Sequence, residues 1–310
     1  MTIAGIKKGG EKRPPRIVLY GAPGIGKSSF AAAMPDPVFV TTEDGIDAIT
    51  VDQFDRAETW AEFLGNVQKI VTDINGYKTL VIDTLNGASD LAAAHVCATQ
   101  FAGNWGEKGF GSFGKGWAAT SEEMRKLLPM LDTARTQGMT IVILAHTGVV
   151  SVKNPIDGDF DRFAPSCNKN VWARFSAWAD IIMRADYEYT VLDKKLNKGR
   201  AVCTSTRILR CAGSIVEDVK QRVGYELPDI LPLSYEAFAA ALGQTGDTLP
   251  AVKSLWGLLS QEEQTKTLAY LGGSLDKAPV AKLKATLNGL MKRQADLAAA
   301  NIDPKEAVNG

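Results

Sequence analysis

Arg16-Ile17-Val18-Leu19-Tyr20-Gly21-Ala22-Pro23-Gly24-Ile25-Gly26-Lys27-Ser28-Ser29 is the stretch whose reading decides the fold. Its opening residues form a short apolar run, as expected of a strand buried on both faces. The octet Gly21 to Ser28 then fits G-x-x-x-x-G-K-[ST], the phosphate-binding loop. Glycine lets the backbone bend tightly enough for its N–H groups to surround phosphate oxygens. Lys27 in such a loop reaches the β- and γ-phosphates, and the Ser28 hydroxyl ligates Mg²⁺. The Ala-rich run from Ser29 to Met34 reads as a helix that ends at Pro35 and begins near Gly26, where its dipole favours an anion. The expected cofactors are therefore ATP and Mg²⁺, held by Gly21, Ala22, Pro23, Gly24, Ile25, Gly26, Lys27, Ser28 and Ser29.

Working outward, three further strands end in polar residues. Pro37-Val38-Phe39-Val40-Thr41 runs into Thr42-Glu43-Asp44-Gly45. Thr79-Leu80-Val81-Ile82-Asp83 places an acid after an apolar run, the Walker B pattern, and a parallel strand would deliver that carboxylate beside the P-loop to share Mg²⁺ with Ser28. Thr140-Ile141-Val142-Ile143-Leu144-Ala145 ends at His146-Thr147, and position alone makes His146 a candidate for sensing the γ-phosphate. Helical spacing is visible from Glu58 to Val71 (Trp60, Phe63, Leu64, Val67, Ile70), from Ala88 to Thr99 and from Thr120 to Arg135. Asp180 to Leu192 and Ala201 to Cys211 read as antiparallel strands added to an edge of the sheet. They are joined by a basic turn with Lys194, Lys195, Lys198 and Arg200. Strands alternating with helices give an α/β fold with a mostly parallel sheet.

Two connections stand out. Residues 101–117 carry six glycines, five aromatics (Phe101, Trp105, Phe110, Phe113, Trp117) and two lysines (Lys108, Lys115). Rings that stack on bases and cations that meet phosphates suit single-stranded DNA, and plugging a sheet edge or a subunit contact is the competing reading. Residues 148–169 show no periodicity, only Pro155, Gly158, Pro165 and mixed charge, and read as a long loop on the same sheet edge. Further on, Ser234 to Leu242 reads as a helix, 243–250 as a linker, and 251–310 as a helical C-terminal appendage in which Ser260 and Glu263 fit a capping box. Residues 1–15 read as a flexible basic arm, and 16–242 as the core.

Composition narrows the partners. Lys plus Arg and Asp plus Glu are both 35, so a nucleic-acid surface must be a local patch. The four cysteines (Cys97, Cys167, Cys203, Cys211) form no C-x-x-C pair, which suits a reduced compartment without structural zinc. No apolar run is long enough to span a bilayer, so no membrane partner and a cytoplasmic location are expected.

These motifs resemble the RecA-like P-loop ATPases, and most closely the phage-type nucleotide-binding branch that includes single-strand annealing recombinases. The resemblance covers roughly 16–242 and rests on Gly21 to Ser28, Val38 to Asp47, Val81-Ile82-Asp83-Thr84 and Val142 to His146. It implies a RecA-like twisted sheet and Glu43 as the residue that activates the attacking water, with Asp44 in competition. It also implies His146 in the place of the family's polar sensor, where the recombinases usually have Gln, and the segments 101–117 and 148–169 in the places of its DNA loops. Lys220-Gln221-Arg222 resembles the basic pair that hexameric helicases of the superfamily insert into a neighbour's site, with Lys220 and Arg222 completing catalysis in a homo-oligomer. The implied activity is DNA-stimulated ATP hydrolysis in recombination, annealing or repair, in the bacterial host cytoplasm if phage-encoded. A hexameric helicase or loader, a small-molecule kinase, and a nucleotide-switched structural or packaging partner are the alternatives.

Overall fold

The computed structural model describes residues 13–46, 48–192, 200–222, 227–244, 252–253, 255–275, 282, 285–290 and 292–293. The basic arm (to residue 12), the three lysines of the basic turn and the linker after Gln244 lie outside them. The chain divides into two compact units, Met1–Phe238 and Ala239–Gly310.

The first unit is built on parallel strands. The P-loop strand β1 (Arg16–Gly21) lies between β5 (Thr140–Val152) and β7 (Ile181–Leu192), parallel to both. Beyond β5 come β4 (Thr79–Asp83), β2 (Pro37–Thr41) and the two-residue β3 (Asp52–Gln53), all parallel. Ile17, Val18, Leu19 and Tyr20 are fully buried, as are Leu80, Val81 and Ile82. A sheet covered on both faces needs runs of this kind, and each such aliphatic contributes about 1.5–3 kcal/mol by leaving water. Beyond β7 the sheet turns antiparallel through β8 (Arg200–Arg210) and β10 (Ile230–Pro232), with β9 (Lys220–Gln221) against the start of β7. The architecture is thus a mostly parallel ten-stranded α/β sheet flanked by helices, as expected.

Three expectations about its parts are corrected. The strand from Asp180 is not part of an antiparallel addition: β7 runs parallel to β1, and the direction reverses at β8. Residues 148–169 are not a structureless loop. β5 continues past the sheet to Val152 and forms an antiparallel hairpin with β6 (Phe160–Pro165), followed by α6 (Lys169–Trp178). The helix expected over Thr120 to Arg135 is two, α4 (Lys115–Met124) and α5 (Leu127–Thr136). Pro129 has no N–H to donate to the Arg125 carbonyl, and its ring crowds that turn, so the helix breaks there.

The other helices of the core are α1 (Lys27–Ala32), α2 (Trp60–Thr72) and α3 (Leu85–Gln100). α2 starts at a complete capping box between Thr59 and Glu62, and it stacks Trp60 on Phe63 at 5.3 Å between ring centroids. At the amino edge of the sheet the buried Asp180 accepts from Arg16 Nη2 at 2.8 Å and faces Arg135 Nη2 at 3.1 Å. α7 (Tyr235–Gln244) closes the core, with Phe238 edge-on to Phe30 of α1 at 5.7 Å.

In the second unit, α8 (Gln261–Leu271) begins at the capping box read from Ser260 and Glu263, and both of its hydrogen bonds are present. Val252, Leu258, Leu271, Leu287 and Leu290 form a small core of their own.

Candidate nucleotide site

Register assembles the site. Gly21 of β1 pairs with His146 of β5, Asp83 of β4 with Leu144, and Thr41 of β2 with Asp83. The carboxyl ends of these strands therefore form one edge, and the residues that follow each end meet there. The P-loop leaves β1 with Gly24 at φ 73° and Gly26 at φ 111°, a region that any side chain would strain. Ile25 is buried and anchors the loop, while Ala22, Pro23, Gly24 and Ser29 are exposed.

Lys27 is only 6% exposed and donates to its own loop's carbonyls, Ala22 O at 3.0 Å and Gly21 O at 3.1 Å. Burial pulls its ammonium below the ordinary value, while Asp83 and Glu43 oppose that shift. The Ser28 hydroxyl donates to Asp83 Oδ2 at 2.7 Å. Burial pushes the Asp83 carboxyl up; the Ser28 bond opposes the rise and the Glu43 charge adds to it.

Opposite these, Glu43 and His146 meet. Glu43 Oε2 lies 2.8 Å from His146 Nε2, and Oε1 accepts from Thr84 Oγ1 at 2.5 Å. An ionised Glu43 only accepts, so the His146 Nε2 carries the proton. Burial would raise the Glu43 carboxyl, but the bonds from Thr84 and His146, with the charges of His146 and Lys27, hold it below its ordinary value. Asp44, the competing base, turns away to pair with Arg56 at 2.8 Å.

The family described as an AAA domain matches residues 13–225, which takes in every strand carrying a site residue. The chain belongs to the AAA-domain family. AAA domains are nucleotide-binding P-loop ATPases, which agrees with the loop and the two strand-end acids described above. A relative is the SPbeta prophage-derived uncharacterized protein YorG of Bacillus subtilis (strain 168), 23% identical over 196 residues, or 61% of this chain and 56% of that protein. The chain thus spans little more than half the length of that relative.

Two parts of this AAA domain escaped the sequence reading. Thr84 caps α3 by accepting from Gly87 N at 3.1 Å and also donates to Glu43. A Thr directly before a helix was the available signal. Asn86 accepts from the His146 backbone N–H at 2.8 Å and donates to Ser166 O at 2.5 Å, tying β5 to the chain after β6. Nothing in the sequence marked it. His146 Nδ1 and Thr147 Oγ1 are buried without a partner.

Behind Glu43 and His146 a cleft of about 600 Å³ opens between α3, Trp117 and the β5–β6 hairpin. Of the residues in 101–117, Phe110 is 2% exposed and packs among Phe101, Trp105 and Trp117 with centroids 4.7–5.7 Å apart. Phe113 differs: it is fully exposed at φ 47°, and Trp105 is 54% exposed. The rings of this segment are therefore divided, Phe110 packed inside and Phe113 and Trp105 in solvent.

Lys220 and Arg222 lie far from the P-loop of their own chain. Gln221 pairs with Ile181, which pairs with Ile17 at the amino-terminal end of β1. Lys220 Nζ donates to Ser176 O at 2.6 Å and Arg222 Nη2 to Ala177 O at 2.5 Å, closing the last turn of α6, and Arg222 Nη1 lies 3.5 Å from Asp180. Among the described residues, no helix is long and apolar enough to cross a membrane, and no group of three or more His, Cys, Asp or Glu is placed to hold a metal.

Proposed function

We propose that this AAA domain is a Mg²⁺-dependent ATPase whose turnover responds to single-stranded DNA, acting in recombination, annealing or repair. The P-loop amides and Lys27 bind the phosphates. Lys27 need only exchange two carbonyl acceptors of its own loop for phosphate oxygens. Ser28 and Asp83 are oxygen donors 2.7 Å apart, which fits a Mg²⁺ held by one carboxylate with the rest of its shell from nucleotide and water. That ion would neutralise charge on the transferring phosphoryl group. Glu43 accepts the proton of the attacking water as its oxygen joins the γ-phosphorus and the bond to the β-phosphate oxygen breaks. His146 and Thr84 orient that carboxylate and keep it ionised.

The single observation that carries the DNA reading is Phe113. A fully exposed ring on a strained backbone has no packing reason to be there, and the exposed Lys108 and Lys115 flank it with no ion pair among the described residues. The cleft itself suits phosphates poorly, because Glu43 and Asp90 line it. DNA would cross the crest formed by Phe113, Trp105 and the lysines, and the chain Asn86–His146–Glu43 would connect it to hydrolysis. Lys220 and Arg222 take no part in this reading, and assembly into a filament or ring with ATP and DNA, read by light scattering, belongs to it.

The test is phosphate release from ATP with no DNA, single-stranded DNA or duplex, with Lys27→Ala as the blank. Stimulation by single strands that is lost in Phe113→Ala supports the proposal. Turnover indifferent to all DNA overturns it and favours a nucleotide-switched structural partner.

A further inference from the structure

Asp83, Glu43 and His146 all flank the P-loop on the side of β5 and β4. On the other flank stands β8, and one of its arginines reaches the P-loop. A Cβ built on Gly26 would lie 3.2 Å from Arg207 Nη1 and 3.5 Å from Leu233 Cδ2. The guanidinium therefore rests against the phosphate-binding loop at Gly26, where a side chain would crowd it. Arg207 pairs in register with Tyr187 of β7, two residues beyond the Gly21–Ala185 pair where β1 gives way to the loop. Its Cζ lies 6.0 Å from the Tyr187 ring centroid, close enough for the ring to steady it.

The charge partners of Arg207 set it apart from its neighbours on the same two strands. Arg184 Nη2 is held by Asp186 at 2.6 Å and by Glu217 at 2.8 Å. Arg210 Nε lies 3.4 Å from Glu217 and 3.5 Å from Asp186. Arg207 is exposed and has no acid beside it among the described residues. An arginine that only needed water would not be expected to turn in against a loop rich in N–H donors and adjacent to Lys27. A planar fork of donors beside a phosphate cradle has an obvious acceptor once nucleotide is bound.

We propose that Arg207 is a nucleotide-binding residue acting within its own chain. Its guanidinium donates to the phosphate chain of the bound nucleoside triphosphate from the flank of the P-loop opposite Asp83, and Tyr187 and Leu233 hold it there. The proposal rests on the nucleotide reading of the P-loop and extends it to a strand that the motif does not contain.

The experiment is equilibrium binding of a fluorescent ATP analogue, by anisotropy, to wild type, Arg207→Ala, Arg207→Lys and Lys27→Ala, over a series of salt concentrations. A charge-assisted bond predicts about 10- to 100-fold weaker binding by Arg207→Ala, partial recovery in Arg207→Lys, and a shallower salt dependence in Arg207→Ala than in wild type. Circular dichroism and melting of Arg207→Ala should match wild type, because the side chain is exposed. Equal affinity of Arg207→Ala and wild type, with Lys27→Ala defective, overturns the role of Arg207 alone. Absence of binding by wild type overturns both this proposal and the nucleotide reading beneath it.

Discussion

Replacing Gly87 with alanine tests how tightly the site is built. Gly87 lies in the first turn of α3, three residues after Thr84, and glycine in a helix is usually worse than alanine by about 0.5–1 kcal/mol. Helix propensity alone would therefore have Gly87→Ala stabilise. Packing says the reverse. A Cβ at Gly87 would lie 2.2 Å from Thr42 Oγ1, 2.8 Å from Thr42 Cβ and 3.4 Å from Thr42 O. Rotating the hydroxyl away does not clear the Cβ contact, and it breaks the bond that Thr42 Oγ1 accepts from Thr84 N at 3.0 Å. Overpacking costs about 1–3 kcal/mol and the lost bond about 1 kcal/mol, against a propensity gain of at most about 1 kcal/mol. The net is a loss of about 2 kcal/mol, or a melting temperature lower by about 4–8 °C. Thr42 immediately precedes Glu43, so ATP turnover should fall as well. Gly65→Ala in α2 is the control: nothing lies within 4 Å of its Cβ, and it should gain about 0.5–1 kcal/mol. Thermal melts of both variants decide the matter. A Gly87→Ala protein as stable as Gly65→Ala would refute the packing described around Thr42.

Other expectations follow from the same contacts. Phe110→Ala should cost about 3–5 kcal/mol in chemical denaturation, whereas Phe113→Ala should change stability by less than about 0.5 kcal/mol, since Phe110 is buried and Phe113 is fully exposed. Asp83 has a raised carboxyl, so its contribution to stability is present below the ordinary carboxylate range and is lost as pH rises through its folded value. Asp83→Asn should thus melt higher than wild type at pH 7, the difference closing in acid, while its Mg²⁺-dependent turnover disappears. Asp180 is the opposite case. Burial would raise it, but the Arg16 bonds and charge, with Arg135, hold it low, so its stabilisation is present at neutral pH and lost as pH falls through that lowered value. Asp180→Asn should flatten the acid limb of the melting-temperature profile.

What the sequence made legible follows burial and spacing. β1, β4 and the sheet portion of β5 are continuous apolar runs because helices cover both faces of the sheet, and Lys27, Ser28 and Asp83 sit at spacings that phosphate and Mg²⁺ chemistry dictate. Glu43 and His146 were reachable through the strand ends they follow, but their direct contact depends on β5, β4 and β2 being neighbours in that order. The β5–β6 hairpin was not legible. It projects beyond the sheet, with Val149 at 59% and Val150 at 41% exposure, so no continuous core run marks it, and Lys153 pairs with Asp159 where the sequence shows only mixed charge. The break before Pro129 was readable from the proline and was overridden by the amphipathic pattern on either side. Asn86 on α3 and Arg207 on β8 reach the site only through tertiary contacts, and no local pattern points to them.

Everything proposed for turnover depends on Glu43 as the base that takes the proton of the attacking water. The measurement that tests it most directly compares ATP binding and phosphate release in wild type and Glu43→Gln. Gln keeps the shape and can still bond Thr84 and His146, but it takes no proton from water. Glu43→Gln should keep its nucleotide affinity while turnover falls about 10²- to 10⁴-fold. Glu43→Gln hydrolysing ATP at the wild-type rate would contradict it.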